Sequence, residues 1–191
     1  MAREQQDREA KGAGEFGFFD GRVVAAWHDD GRSMTLVEPF GFIDAAGIRW
    51  QAAAGSVVNG ASIPRGLWSV IGGPFAGRFR NASVVHDVAC EERLRPSRQV
   101  HRMFYDACRA GGVATAKAKA MYFAVARWGP RWHVERRFRG PPAAGESAPI
   151  VIDDTPPPPS DEELAAAFAR IEAIDPPVDE IPALAETTAG P

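Results

Sequence analysis

A chain of 191 residues, 45% hydrophobic and 25% charged, can bury one core and is neither a coiled coil nor a collagen-like fibre. The net charge of −3 hides a split: from Pro141 onward there are eleven acidic residues and one basic, which leaves +7 for residues 1–140, and neither half carries the charge of a nucleic-acid binder. Two cysteines, Cys90 and Cys108, exclude a disulfide framework and a zinc ribbon of paired Cys-x-x-Cys motifs, and point to a reducing compartment.

Residues 1–14 mix charges of both signs, lack large apolar side chains and are expected to form a flexible tail. They contain no apolar stretch of the kind a cleaved export signal needs, and no run inside the chain is long enough for a membrane span, so a soluble, cytoplasmic chain is expected. Between Phe16 and Val58, short runs rich in Val, Ile, Phe and Trp are split by His28-Asp29-Asp30-Gly31 and by Asp44-Ala45-Ala46-Gly47. This pattern predicts antiparallel hairpins in a meander or curled sheet.

The period then changes. Ser62 as cap and Pro64 in the first turn predict a short helix that ends at Gly72-Gly73-Pro74. Longer helices are predicted over 79–93, over 98–110 with Ser97 as cap, and over 114–128. Val100, Met103, Phe104 and Ala107 form the apolar stripe of the second of these, and Ala118, Met121, Tyr122 and Val125 that of the third. Strands first and helices after argue for an α+β domain over residues 15–139.

Residues 140–191 hold 11 of the 16 prolines, including Pro156 to Pro159, and read as an acidic, Pro-rich, disordered tail unable to pack a core. Inside it, 160–173 has helical signals: Ser160 as cap, acids in the first turn, and Leu164, Phe168 and Ile171 on one side. A transient, solvated helix is the expectation there, with docking of a protein partner as the other reading.

The chemistry concentrates in Asn59-Gly60-Ala61-Ser62-Ile63-Pro64-Arg65 and, about twenty residues later, His86-Asp87. On a helix His86 shares a face with Ala82 and Cys90, whose small side chains leave the imidazole reachable. Asp87 is rotated by about 100° from His86, so the pair diverges and Asp87 serves another partner. One reading makes His86 a general base or metal ligand, with Asp87 binding a cation or fixing the loop. The other makes both structural, His86 bonded to a backbone carbonyl and Asp87 anchoring the loop from Gly60 to Arg65. His101 would face His86 across the turn at Pro96, raising the odds of a shared site. A zinc site of His86, Cys90, His101 and Cys108 is disfavoured, because seven residues along one helix put His101 and Cys108 about 10 Å apart.

Other motifs close. A His-Asp phosphohydrolase needs a further upstream helical histidine, and His28 lies in a predicted hairpin. The run from Gly72 to Arg78 lacks the ending of a phosphate loop. Trp128, Trp132, His133 and the following Arg136, Arg137 and Arg139 interleave aromatics with cations, but read better as a closed core edge with a solvated rim.

Taken in order, Asn59-Gly60-Ala61-Ser62-Ile63-Pro64-Arg65, Leu67-Trp68, Ala82-Ser83-Val84-Val85-His86-Asp87 and Met121-Tyr122 to Trp128-Gly129 resemble the bacterial and phage family known as domain of unknown function 1353. The resemblance spans about residues 16–133 and implies an α+β domain in which Gly60, Ser62, Arg65, His86 and Asp87 gather, with no assigned activity. Many members carry Asp where this chain has Asn59 and Asp where it has His101, which weakens a calcium-type site and moves it toward a softer metal or none. More loosely, the His-Asp helix resembles that of phospholipases of the A2 type. That likeness implies His86 as the base that activates water and Asp87 as a calcium ligand, with carbonyls near Gly72 and Gly73 and an orienting carboxylate such as Asp106.

The expected functional residues are therefore His86, Asp87 and Ser62 for catalysis, His86, Asp87 and His101 for a divalent metal ion, and Asn59, Gly60 and Arg65 for binding. Two functions stay open: a hydrolase with His86 as general base, metal-assisted or not, or a non-catalytic accessory or structural protein of phage type, virion-associated if of phage origin. In the second, the His-Asp cluster is structural and the acidic tail binds a protein partner.

Overall fold

A computed structural model describes residues 14–60, 62–63, 75–135 and 150–187. Six short strands come first: β1 (Phe18–Asp20), β2 (Ala25–Trp27), β3 (Met34–Leu36), β4 (Phe40–Ile43), β5 (Arg49–Ala52) and β6 (Val57–Val58). Three helices follow: α1 (Arg80–Glu92), entered through a 3-10 turn at Gly77–Phe79, α2 (Ser97–Ala110) and α3 (Thr115–Trp128). The strands-then-helices order is the α+β class that the sequence predicts.

The strands form two antiparallel three-stranded sheets, ordered β1-β4-β5 and β2-β3-β6. Both punctuated turns close hairpins: His28 to Ser33 joins β2 to β3, and Asp44 to Ile48 joins β4 to β5. In the second turn the Asp44 carboxylate accepts the amides of Ala46 and Ile48 and the indole N–H of Trp50, so one side chain sets both turn and register. The chain enters β1 through Gly17 at φ +99, where a Cβ would lie 2.2 Å from the Ile43 carbonyl oxygen; only glycine fits.

Helix α1 is central. It packs against β4, β5 and β6 on one side and against α2 on the other. Ala82, Val84, Val85, Val88 and Cys90 are all buried, as are the four stripe residues predicted in each of α2 and α3. Ser97 does not act as the cap of α2. It is the first helical residue after Pro96, and its hydroxyl donates to the Trp132 carbonyl. Trp132 begins β7 (Trp132–Glu135), pairs through that strand with β8 (Ile150–Asp153), and donates its indole N–H to the Arg95 carbonyl. The expectation that Trp132 closes the core therefore holds. Arg65, the predicted helix beyond Pro64, Gly72, Gly73 and Arg136 to Arg139 lie outside the described residues.

The acidic C-terminal region departs from its expected character over residues 150–187. Helix α4 (Asp161–Ile174) starts at Ser160 with a capping box, the Ser160 hydroxyl accepting the Glu163 amide and the Glu163 carboxylate accepting the Ser160 amide. A 3-10 turn at Val178–Glu180 leads into α5 (Ile181–Thr187), and both helices pack on α3. Leu164, Phe168, Ile171, Ile181 and Ala185 join the core. Bulk composition understated this segment: prolines and acids dominate the impression, but Leu164, Phe168 and Ile171 fall on one side of α4, and that suffices for packing.

No helix among the described residues is long and apolar enough to cross a membrane.

Candidate functional site

Helix α1 places His86 and Asp87 on different sides, as their 100° offset requires. The Asp87 carboxylate turns to the loop after β6. One oxygen accepts the amides of Asn59 at 2.8 Å and Gly60 at 3.0 Å, and the other accepts that of Ser62 at 3.2 Å. Gly60 sits at φ +69, so the loop turns sharply enough to aim successive amides at one carboxylate. Asn59, Gly60 and Ser62 thus meet Asp87 through their backbones.

His86 points instead into the seam between α1 and α2. Its Nδ1 lies 3.2 Å from the Ser62 hydroxyl, and its Nε2 lies 3.0 Å from Nδ1 of His101, whose own Nε2 is 3.0 Å from the Pro130 carbonyl oxygen. The protons follow from the far end. A carbonyl only accepts, so His101 carries its proton on Nε2 and leaves Nδ1 bare; His86 must then donate from Nε2, and its bare Nδ1 accepts from the Ser62 hydroxyl. The result is a directional chain from Ser62 through His86 and His101 to Pro130.

Cys90, one turn beyond His86, completes the group, its sulfur 3.6 Å from His86 Nε2 and 3.9 Å from Nδ1. Taking one donor atom from each of His86, Cys90 and His101, none lies more than 4.8 Å from another. All three residues are buried. The sequence had set Cys90 aside with Cys108; the structure brings Cys90 to the histidines and leaves Cys108 in the apolar core. The i, i+4 spacing of His86 and Cys90, with His101 on the facing helix, was the signal that could have found the trio.

Two expectations fail here. The imidazole of His86 is not reachable: it is 0% exposed, because the Phe104 ring from α2 lies 4.6 Å away between ring centres while Ser62 and His101 occupy its two nitrogens. Asp106 does not orient it either, since that carboxylate pairs with Arg102 one turn back on α2. Two surface hollows, of about 80 and 380 Å³, lie nearby; His101 borders the first, and neither is lined by His86, Asp87 or Ser62.

Burial governs the electrostatics. It pushes the His86 imidazole well below its usual pKa, with the neighbouring His101 adding to the effect, and it pushes His101 down to about 4. Both rings are neutral near pH 7. Burial, and after it the Asp87 charge, holds the Cys90 thiol well above its ordinary range.

Residues 34–125 match the model of the family described as protein of unknown function (DUF1353), so the resemblance read from the motif order holds over the segment carrying Asn59 to Ser62, His86, Cys90 and His101. The chain is 45% identical to the uncharacterized protein y4jT of Sinorhizobium fredii (strain NBRC 101917 / NGR234) over 131 residues, 68% of this chain and 39% of that protein. It is 37% identical to the uncharacterized protein y4iH of the same strain over 103 residues, 54% of this chain and 43% of that protein. The matches thus cover less than half the length of either relative. No solved structure matches the chain.

Proposed function

We propose that the domain is a non-catalytic accessory or structural module, whose polar centre locks the Asn59–Ser62 loop and helix α2 onto α1. The observation that carries this reading is the state of His86: fully buried, neutral, and hydrogen-bonded at both ring nitrogens. A general base must reach a water or substrate proton within hydrogen-bonding distance, and here both positions are filled by the protein itself. Asp87 supports the same reading, because three backbone amides occupy its carboxylate.

Replacing His86 by Gln tests it. A strut predicts a large fall in melting temperature, since one end of the Ser62–His86–His101 chain loses its partner inside the core. If the variant keeps the wild-type melting temperature, the reading fails.

One observation favours a second reading. Ser62, His86 and His101 stand in the hydrogen-bonded order of nucleophile, base and orienting group, the arrangement a hydrolase would use. Stoichiometric labelling of Ser62 by a fluorophosphonate, lost in S62A, would support it. Absence of labelling leaves the structural module as the better reading.

A further inference from the structure

We propose that His86 Nε2, His101 Nδ1 and Cys90 Sγ form a buried site for one divalent transition metal ion of the zinc class. The inference rests on the reading of this centre as an internal strut; in the loaded form the ion would replace the His86–His101 hydrogen bond as the link between α1 and α2.

Geometry comes first. Tetrahedral zinc with Zn–N of about 2.0–2.1 Å and Zn–S of about 2.3 Å separates two nitrogen ligands by about 3.4 Å, and nitrogen from sulfur by about 3.6 Å. The corresponding edges here are 3.0 Å between the two nitrogens and 3.6 Å between His86 Nε2 and Cys90 Sγ. The third edge, from His101 to Cys90, is bounded by 4.8 Å, so closing the triangle on an ion requires the Cys90 and His101 side chains to approach each other by up to about 1 Å.

The surroundings are those a metal-bound histidine requires. His101 already donates its other ring N–H to the Pro130 carbonyl, which fixes the tautomer with Nδ1 free to ligate. His86 needs one change: its proton moves from Nε2 to Nδ1, where the Ser62 hydroxyl, now accepting, receives the hydrogen bond. The ion displaces the Cys90 thiol proton, so each metal bound releases one proton to solvent. Two imidazoles and one thiolate suit zinc and cobalt over calcium or magnesium, which demand oxygen ligands.

A sealed site loads as the chain folds. The test therefore unfolds the untagged full chain with a chelator, refolds it with cobalt(II) as the probe, and follows absorption. One equivalent of cobalt should saturate a thiolate-to-cobalt charge-transfer band, with release of one proton seen by calorimetry in buffers of different ionisation enthalpy. C108A should keep the band. C90A, a small change that tests the ligand directly, should lose it and weaken cobalt binding by at least about a hundredfold, beyond the effect of losing an outer-shell partner. Should C90A not fold, the wild-type titration decides alone. Wild-type protein that refolds without the band at excess cobalt overturns the proposal, as does a band that survives in folded C90A. If H86Q is destabilised while no metal binds, only this inference falls and the structural reading stands.

Discussion

Asp87 accepts the amide of Gly60 at 3.0 Å across 27 residues of sequence, the same carboxylate taking the amides of Asn59 and Ser62. A buried carboxylate with three backbone donors is a strong device, because hydrogen bonds to an ion contribute roughly 1.5–3 kcal/mol each and two of the three amides, those of Gly60 and Ser62, are buried. Asp87→Asn keeps the size but turns an NH2 group toward one set of N–H donors. We expect it to lower stability by about 2–4 kcal/mol, read from denaturant unfolding, and to speed hydrogen exchange at the amides of Asn59, Gly60 and Ser62. Wild-type exchange at those amides would contradict the anchor role.

The second prediction concerns the loop itself. Gly60 at φ +69 occupies the left-handed region that a side chain disfavours by about 1–2 kcal/mol. Gly60→Ala should cost about that much, and in the double variant with Asp87→Asn the penalties should fall short of their sum, since both act on one hydrogen-bonded unit. Additive penalties would mean that the loop does not depend on Asp87 for its shape.

Proton placement gives a third, spectroscopic test. The chain from Ser62 through His86 and His101 to Pro130 requires both imidazoles to be neutral, each with its proton on Nε2. Nitrogen NMR of the metal-free protein near pH 7 should show two such rings. If zinc binds, the His86 signal should change to the Nδ1–H form while that of His101 keeps its proton. A charged ring at pH 7 would break the assigned order.

How far the sequence carried this site depends on which element supplies each contact. Periodicity within one helix correctly separated His86 from Asp87, and the turn at Pro96 correctly brought His101 opposite His86. The same local view judged the imidazole reachable because Ala82 and Cys90 are small, whereas Phe104, which covers it, belongs to α2. Ser97 shows the same limit: cap chemistry is local, but the Trp132 carbonyl that takes its hydroxyl is 35 residues away. Strand pairing was legible only for hairpins; β1 pairs with β4 across the intervening β2–β3 hairpin, which no turn signal encodes.

Acid should loosen the metal-free domain in a definite window. Burial holds His101 at about 4 in the fold against an ordinary value of 6.5, so the unfolded chain binds the proton more readily. The stability associated with a neutral His101 is therefore complete above about pH 6.5 and is lost as the pH falls toward 4, a loss on the order of 3 kcal/mol. His86, also pushed down by burial, acts in the same direction. Denaturant midpoints in chelator should begin to fall near pH 6.5, above the range where surface carboxylates titrate, and a flat profile from about pH 7 to 5 would contradict the buried neutral pair.

Helix α4 supplies the last test, because its packing is where composition and structure part. Leu164 is 0% exposed and Ile171 2% exposed, on a helix that packs against α3. Truncating a fully buried leucine to alanine costs about 2–5 kcal/mol through lost transfer energy and the cavity left behind. Lys119 on α3, buried along most of its length, reaches Asp175 just beyond α4 at 2.6 Å, but Asp175 is largely exposed, so removing that carboxylate should cost under about 1 kcal/mol. Leu164→Ala should thus lower the global unfolding free energy by several times the effect of Asp175→Ala. If α4 were a solvated helix attached by its ends, the ranking would reverse: Leu164→Ala would leave global stability unchanged, and α4 would exchange its amides at the rate of an unprotected chain.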